Sequence, residues 1–165
     1  MVISEEVLNL QNLEEKLMTG GVRRCHTTPS FEYQSIGQHS WGVAMIILNL
    51  HPDPSLQLIK AALQHDMAEM WLGDVPATAK WRFSNLATSY REAEETIEAE
   101  NNLSVELIEN ELIWLKAADI LELALWSRLQ IKMGNTLYEP ILGRCVDWMN
   151  THKVPGPILE LLEEM

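Results

Sequence analysis

His39, the adjacent pair His65-Asp66, and Asp119 are the residues of this chain whose types and positions can do chemistry. Each falls on or beside a run of apolar residues. Ile36, Val43, Ile46 and Leu50 form one stripe, interrupted by His39. Ile59, Leu63 and Met70 form a second, with Asp66 on it and His65 beside it. Leu112, Leu115, Leu123 and Trp126 form a third, broken by Asp119. Stripes at a period of about 3.6 residues mark helix faces turned toward a core. An unpaired carboxylate on such a face costs several kcal/mol and neutralises rather than stays charged. Three helices that each turn a polar group inward suggest one shared partner. A divalent transition metal is the simplest, because imidazole nitrogen and carboxylate oxygen are ligands for Zn, Co, Mn, Ni or Fe. Taken singly, each residue has a plainer reading: His39 as a hydrogen-bonded core histidine, and Asp66 and Asp119 as salt-bridge partners of Lys60 or Lys116.

The elements that must position these side chains read as helix after helix. Ser4 can cap a first helix that ends before Gly20-Gly21. Residues 22–34 read as a loop. Ser35 with Gln38 makes a capping-box signature for a helix to about Leu50, where His51-Pro52 breaks it. Asp53 can cap and Pro54 can open the next helix, which should run to about Gly73. Asn85 to Glu100 reads as a polar surface helix, and Ser104 to Met133 as a long one closed by Gly134. Thr136 and Glu139 form a second capping-box signature for a helix through Asn150, and Pro155-Gly156-Pro157 precedes a short terminal helix. Strand alternation, internal repeats and interdomain linkers are not evident. The fold class this predicts is all-α, a single-domain helical bundle over residues 1–165 with the metal site between helices.

Composition narrows the partners. With 165 residues and 47% hydrophobic content, the chain can bury a real core in one domain. The formal net charge of −12 argues against a nucleic-acid polymer as partner, since that needs a basic face. It is compatible with a phosphate-bearing small molecule held in a local positive pocket. No run of 18 apolar residues suggests a membrane span, and the start Met1-Val2-Ile3-Ser4-Glu5-Glu6 lacks a basic signal-peptide region. The 2 cysteines, Cys25 and Cys145, fit a reducing compartment. The expectation is a cytoplasmic protein. There is no Gly-rich phosphate loop, and neither cysteine has a base beside it in sequence.

Five stretches together resemble the HD-domain metal-dependent phosphohydrolases. They are Arg24-Cys25-His26-Thr27, Gln38-His39-Ser40-Trp41-Gly42-Val43-Ala44, His65-Asp66-Met67-Ala68-Glu69, Gly73-Asp74-Val75-Pro76-Ala77-Thr78-Ala79-Lys80, and Lys116-Ala117-Ala118-Asp119. The resemblance is greatest to the deoxynucleotide-cleaving branch, which includes bacterial 5′-deoxynucleotidases and phage-encoded dATP triphosphohydrolases. It covers roughly residues 20–130. Gln38 stands where relatives more often have glutamate, and Cys25 where they often carry an aromatic that could stack on the nucleobase.

The resemblance implies roles. His39, His65, Asp66 and Asp119 would hold one metal ion. Glu69 would be the general base that activates water, or a ligand of a second divalent ion. Asp74 would bind the sugar 3′-hydroxyl or share that second ion. Arg24 would grip the phosphate that is attacked, a role suited to its planar fork of donors. Cys25, His26, Lys80 and Lys116 would complete the substrate contacts. By residue type alone, Glu69, Lys80 and Lys116 would pass as solvated surface residues, and Asp74 as a turn residue. The implied activity is hydrolysis of a purine deoxynucleoside triphosphate, dATP as the favoured substrate, to deoxynucleoside and triphosphate. That would be phage-type control of the nucleotide pool, in the host cytoplasm if the chain is phage-encoded. The alternatives are a 5′-deoxynucleotidase acting on monophosphates and, further off, a non-catalytic nucleotide-binding domain. A homo-oligomer is expected.

Overall fold

Side-chain caps and helix breakers divide the chain, of which the computed structural model describes residues 10–163. The Ser4 cap lies outside the described residues. Helix α1 (Leu10–Thr19) ends at Gly20-Gly21. A two-residue antiparallel ladder follows, β1 (Arg23–Arg24) on β2 (Gln34–Ser35), with Arg24 opposite Gln34. The expected loop over 22–34 is therefore a short hairpin. Ser35 is the N-cap of α2 (Ile36–Leu50), and its capping box with Gln38 forms as the sequence predicts.

The second predicted helix is interrupted. Its N-cap is Ser55, not Asp53, and α3 (Leu56–Gln64) stops one residue before His65. Residues 65–68 form turns, and α4 (Glu69–Leu72) resumes for one turn. Gly73 ends it at φ 74°, in the left-handed region that a residue without Cβ adopts without strain. Then come α5 (Ala77–Arg82) and α6 (Ser84–Glu100).

The long helix α7 (Glu109–Lys132) begins five residues later than Ser104 would have it. The Glu111 carboxylate accepts from the Ile108 N–H at 3.2 Å, which fixes the start there. A 3-10 turn (Thr136–Tyr138) precedes α8 (Glu139–Thr151), and the capping side chain is Asn135 rather than Thr136. Helix α9 (Gly156–Leu162) closes the described chain.

The core joins α2, α3, α7, α8 and α9. Val43, Ala44 and Ile47 meet Leu58 and Ala62, Leu121 and Ala124, Cys145 and Met149, and Ile158. Ala117, Ala118 and Ala124 of α7 are fully buried, and their small side chains let α2 approach closely. Each fully buried Ile or Leu contributes about 1.5–3 kcal/mol over its exposed state. That packing places α2 and the middle of α7 side by side, which brings His39 to Asp119. Leu63 and Leu112, assigned to buried stripes by their spacing, are exposed instead. Among the described residues no helix is long and apolar enough to cross a membrane.

Candidate active site

Four side chains from three segments converge. His39 lies on α2 and is fully buried. His65 and Asp66 occupy the turn after α3, and Asp119 lies mid-way along α7. His39 Nε2 is 3.2 Å from His65 Nε2, 3.3 Å from Asp119 Oδ1 and 3.4 Å from Asp66 Oδ2. His65 Nε2 lies 3.5 Å from Asp66 Oδ1. Ligand atoms of His39, His65 and Asp119 fall within 4.8 Å of one another, the spread of a divalent-metal site. Asp66 joins through its contacts with both histidines.

The hydrogen bonds on the far side of each ring test whether a cation fits. His39 Nδ1–H donates to Glu122 Oε2 at 2.6 Å, and His65 Nδ1–H donates to the Ala62 carbonyl at 3.0 Å. Both rings therefore turn an Nε2 lone pair toward the centre, where the lone pairs face each other beside two carboxylates. Only a positive charge between them, a proton or a metal ion, makes that arrangement favourable. The cluster's electrostatics agree. Burial lowers the His39 pKa, but hydrogen bonds with Asp119 and Glu122 outweigh it and push His39 up to about 9. Burial would raise Asp119, yet Lys116 and His39 hold it well below the usual carboxylate range. The donor set fits a borderline divalent cation such as zinc.

Arg24 stands beside the cluster. Its Nε is 3.8 Å from Asp66 Oδ2 and its Nη1 3.7 Å from Glu122 Oε2, and its side chain is only 12% exposed. Neither nitrogen has a hydrogen-bond partner. Burial lowers the Arg24 pKa, but Asp66, Asp119 and Glu122 raise it further, so the guanidinium stays charged. Glu69, at the start of α4, is buried, with Oε2 lacking a partner. Burial and the Asp66 and Asp74 carboxylates push it up to about 9.

The remaining predicted residues sit differently. Asp74 Oδ2 accepts the Cys25 N–H at 2.9 Å and lies 3.7 Å from His26 Nδ1. Cys25 therefore contributes its backbone, in a left-handed conformation at φ 52°. Its thiol, pushed up to about 11 by burial, stays neutral. His26 is 43% exposed. Lys80 Nζ lies 4.4 Å from the Tyr90 ring centroid, and the Tyr90 hydroxyl donates to the Gly73 carbonyl at 2.7 Å. Lys116 is 57% exposed and pairs with Asp119 Oδ2 at 2.7 Å.

Sequence reasoning missed Glu122, Gln34 and Tyr90. Glu122 alone had a signal, lying three residues after Asp119 and hence on the same face of α7. Gln34 Nε2 donates to Glu122 Oε1 at 2.6 Å, and Gln34 is 2% exposed.

Residues 16–113 match the family described as 5′-deoxynucleotidase YfbR-like. The protein is thus a metal-dependent phosphohydrolase of the HD-domain class. Within that class, the chain belongs to the YfbR-like family of 5′-deoxynucleotidases. The matched span holds Arg24, His39, His65, Asp66, Glu69 and Asp74, while Asp119 and Glu122 lie beyond it. Comparison with curated proteins finds no match. Among solved structures, a protein from Pyrococcus horikoshii OT3 has a TM-score of 0.75 at 18% identity, covering 94% of this chain and 97% of that one. The cyanophage S-2L HD phosphohydrolase DatZ, bound to dA and one catalytic Zn2+ ion, has a TM-score of 0.68 at 17% identity, covering 92% and 91%. A Listeria innocua HD-domain phosphohydrolase has a TM-score of 0.64 at 16% identity, covering 94% and 85%. At these identities the likeness is one of fold, and it bears out the all-α HD-type bundle read from the sequence.

Proposed function

We propose that this single-domain enzyme cleaves the 5′-phosphate ester of a deoxynucleoside monophosphate, releasing deoxynucleoside and phosphate. The observation that carries the reading is Arg24, charged and nearly buried beside the cluster, with two donor nitrogens unpartnered. One guanidinium with free donors matches one phosphate group, since charge-assisted contacts are most favourable where water is excluded. The two lysines that the resemblance makes substrate contacts, the candidates for any further phosphate, have neighbours of their own: Lys116 pairs with Asp119, and Lys80 lies over Tyr90. The family description adds support.

In this reading His39, His65, Asp66 and Asp119 hold a divalent ion. When bound, such an ion would supply Lewis-acid polarisation and the acidification of water. Arg24 orients the phosphate and offsets charge as it builds in the transition state. Glu69 accepts the proton of the attacking water at its unpartnered Oε2. Its raised pKa disfavours that role until positive charge nearby offsets Asp66 and Asp74. Asp74, anchored by the Cys25 N–H, takes the sugar 3′-hydroxyl, and Cys25 and His26 flank the nucleoside. The other role for Glu69 and Asp74, holding a second divalent ion, is distinguished by metal stoichiometry.

The second reading is hydrolysis of dATP to deoxyadenosine and triphosphate. It is favoured by the fold shared with DatZ, whose structure contains dA, the deoxynucleoside either reaction would leave. Here Lys80 and Lys116 would leave their present partners for the β- and γ-phosphates. A panel of dNMPs and dNTPs assayed with each candidate metal, products separated by chromatography, tests both. Turnover of dAMP above dATP supports the first; the reverse order replaces it with the second. We also retain a homo-oligomer as partner. Trp41, Met45 and Leu48 are exposed at helical spacing on α2, a face that suits a second copy, and sedimentation of the purified chain tests it.

A further inference from the structure

The carboxylate of Glu122 lies behind the ligand cluster and is largely shielded from solvent, and its hydrogen bonds and ion pair all bear on the site. Its side chain is 12% exposed. Oε2 accepts the His39 Nδ1–H at 2.6 Å and lies 3.7 Å from Arg24 Nη1. Oε1 accepts Gln34 Nε2 at 2.6 Å. Opposite it on α2 stands Gly42, where an added Cβ would fall 2.9 Å from Glu122 Cγ and 3.2 Å from Oε1. The space for Glu122 therefore exists because residue 42 has no side chain. Arg24 and Gln34 are themselves paired across the β1–β2 ladder, so two neighbouring backbone positions aim at one carboxylate.

We propose that Glu122 is a positioning residue: with Gln34 as its clamp and Gly42 as its clearance, it fixes the tautomer and orientation of His39. A carboxylate on the outer nitrogen of an imidazole holds the proton there and makes the inner nitrogen a better ligand. Gln34 stops the carboxylate from rotating, and the nearby Arg24 ties the phosphate-gripping segment to the same anchor. The inference rests on the cluster being the metal site proposed above.

The test is metal affinity of the purified protein without nucleotide, read by competition with a chromophoric zinc chelator. Substitutions at this layer typically cost 10–100-fold in affinity. Glu122→Gln, nearly isosteric, should weaken zinc binding by that 10–100-fold. Gly42→Ala, which leaves the carboxylate present but displaces it, should also weaken zinc binding, and Gln34→Leu should do so to a smaller degree. Circular dichroism of the zinc-free variants should match the parent, which separates positioning from folding. Parent-like zinc affinity in both Glu122→Gln and Gly42→Ala overturns the proposal. If Glu122→Gln does not fold, Gly42→Ala and Gln34→Leu decide it, and parent-like affinity in those two overturns it. Failure of the parent to cleave any deoxynucleotide would instead remove the proposed substrate and leave these affinities interpretable.

Discussion

Lys116 Nζ donates to Asp119 Oδ2 at 2.7 Å while the other oxygen of the same carboxylate lies 3.3 Å from His39 Nε2. One carboxylate thus faces the rim with one oxygen and the buried histidine with the other. The lysine is 57% exposed, where an ion pair is worth only ~0–1 kcal/mol. Lys116→Met should therefore change dAMP turnover by less than about tenfold, on that small pair energy. If the triphosphate reading holds, the same substitution should weaken dATP turnover by roughly 10–100-fold, the loss of one charge-assisted phosphate contact. Kinetics of both substrates on both proteins separate the readings.

Asp119→Ala removes the proposed ligand from α7, the carboxylate that faces His39 of α2. We expect hydrolysis to be abolished and the rise in Tm on adding zinc to disappear, since binding to the folded state alone is what stabilises it. Calorimetry with and without metal checks this. A variant with full activity and full metal content would sink the site assignment.

Glu69→Gln should keep nucleotide binding and lower turnover by about 10²–10⁴, the usual contribution of a general base. Metal content measured alongside is decisive for its role. A fall from two ions to one marks Glu69 as a ligand of a second ion, and unchanged turnover returns it to a structural part.

The chelator-treated protein should lose stability as pH rises. Hydrogen bonds with Asp119 and Glu122 overcome the burial that opposes them and raise His39 from 6.5 to about 9. Burial, then Asp66 and Asp74, raise Glu69 from 4.5 to about 9. In both, the folded state binds the proton more tightly than the unfolded chain does. The stabilisation is complete below the unfolded pKa and is lost as pH climbs through the folded one. The Tm without metal should fall from about pH 4.5, where Glu69 alone contributes, and more steeply between about pH 6.5 and 9, where both shifts act. Added zinc should flatten the fall, and Glu69→Gln should reduce its slope. A metal-free Tm that holds level or rises across that window contradicts the assignment.

Much of this was legible in the residues themselves. His39 and Asp119 stand out because polar groups break apolar stripes, and the structure buries His39 and leaves Asp119 partly exposed beside the core. For His65-Asp66 the stripe argument is incomplete. The pair lies in a turn after α3, and Leu63, taken as a stripe neighbour, is exposed. The start of α7 was missed because Glu111 accepts from the Ile108 N–H, a local contact that periodicity does not report. Lys80 and Lys116 read as surface lysines by type, and their neighbours within the chain, the Tyr90 ring and Asp119, become visible only in the fold. Glu122 reads as an ordinary glutamate between two leucines. Its importance comes from Gln34 and Gly42, which are remote in sequence and become its neighbours only when α2 packs on α7.

The β1–β2 ladder pairs Arg24 with Gln34 and leaves residues 25–33 outside the register. Arg23 stacks on Tyr33 at 3.1 Å and closes the neck of that excursion. The excursion meets the site at its first residues, where the Cys25 N–H donates to Asp74 and His26 lies beside the same carboxylate. Its tip is exposed at Phe31, yet the Phe31 N–H donates to Gln130 of α7 at 3.1 Å and the Pro29 carbonyl accepts from Asn135 at 2.8 Å, which ties the excursion to the body of the fold. The hairpin is a strap: joined by its ladder at the neck and pinned to the long helix farther out, it keeps Arg24 and Gln34 in step with the helix that carries Asp119 and Glu122.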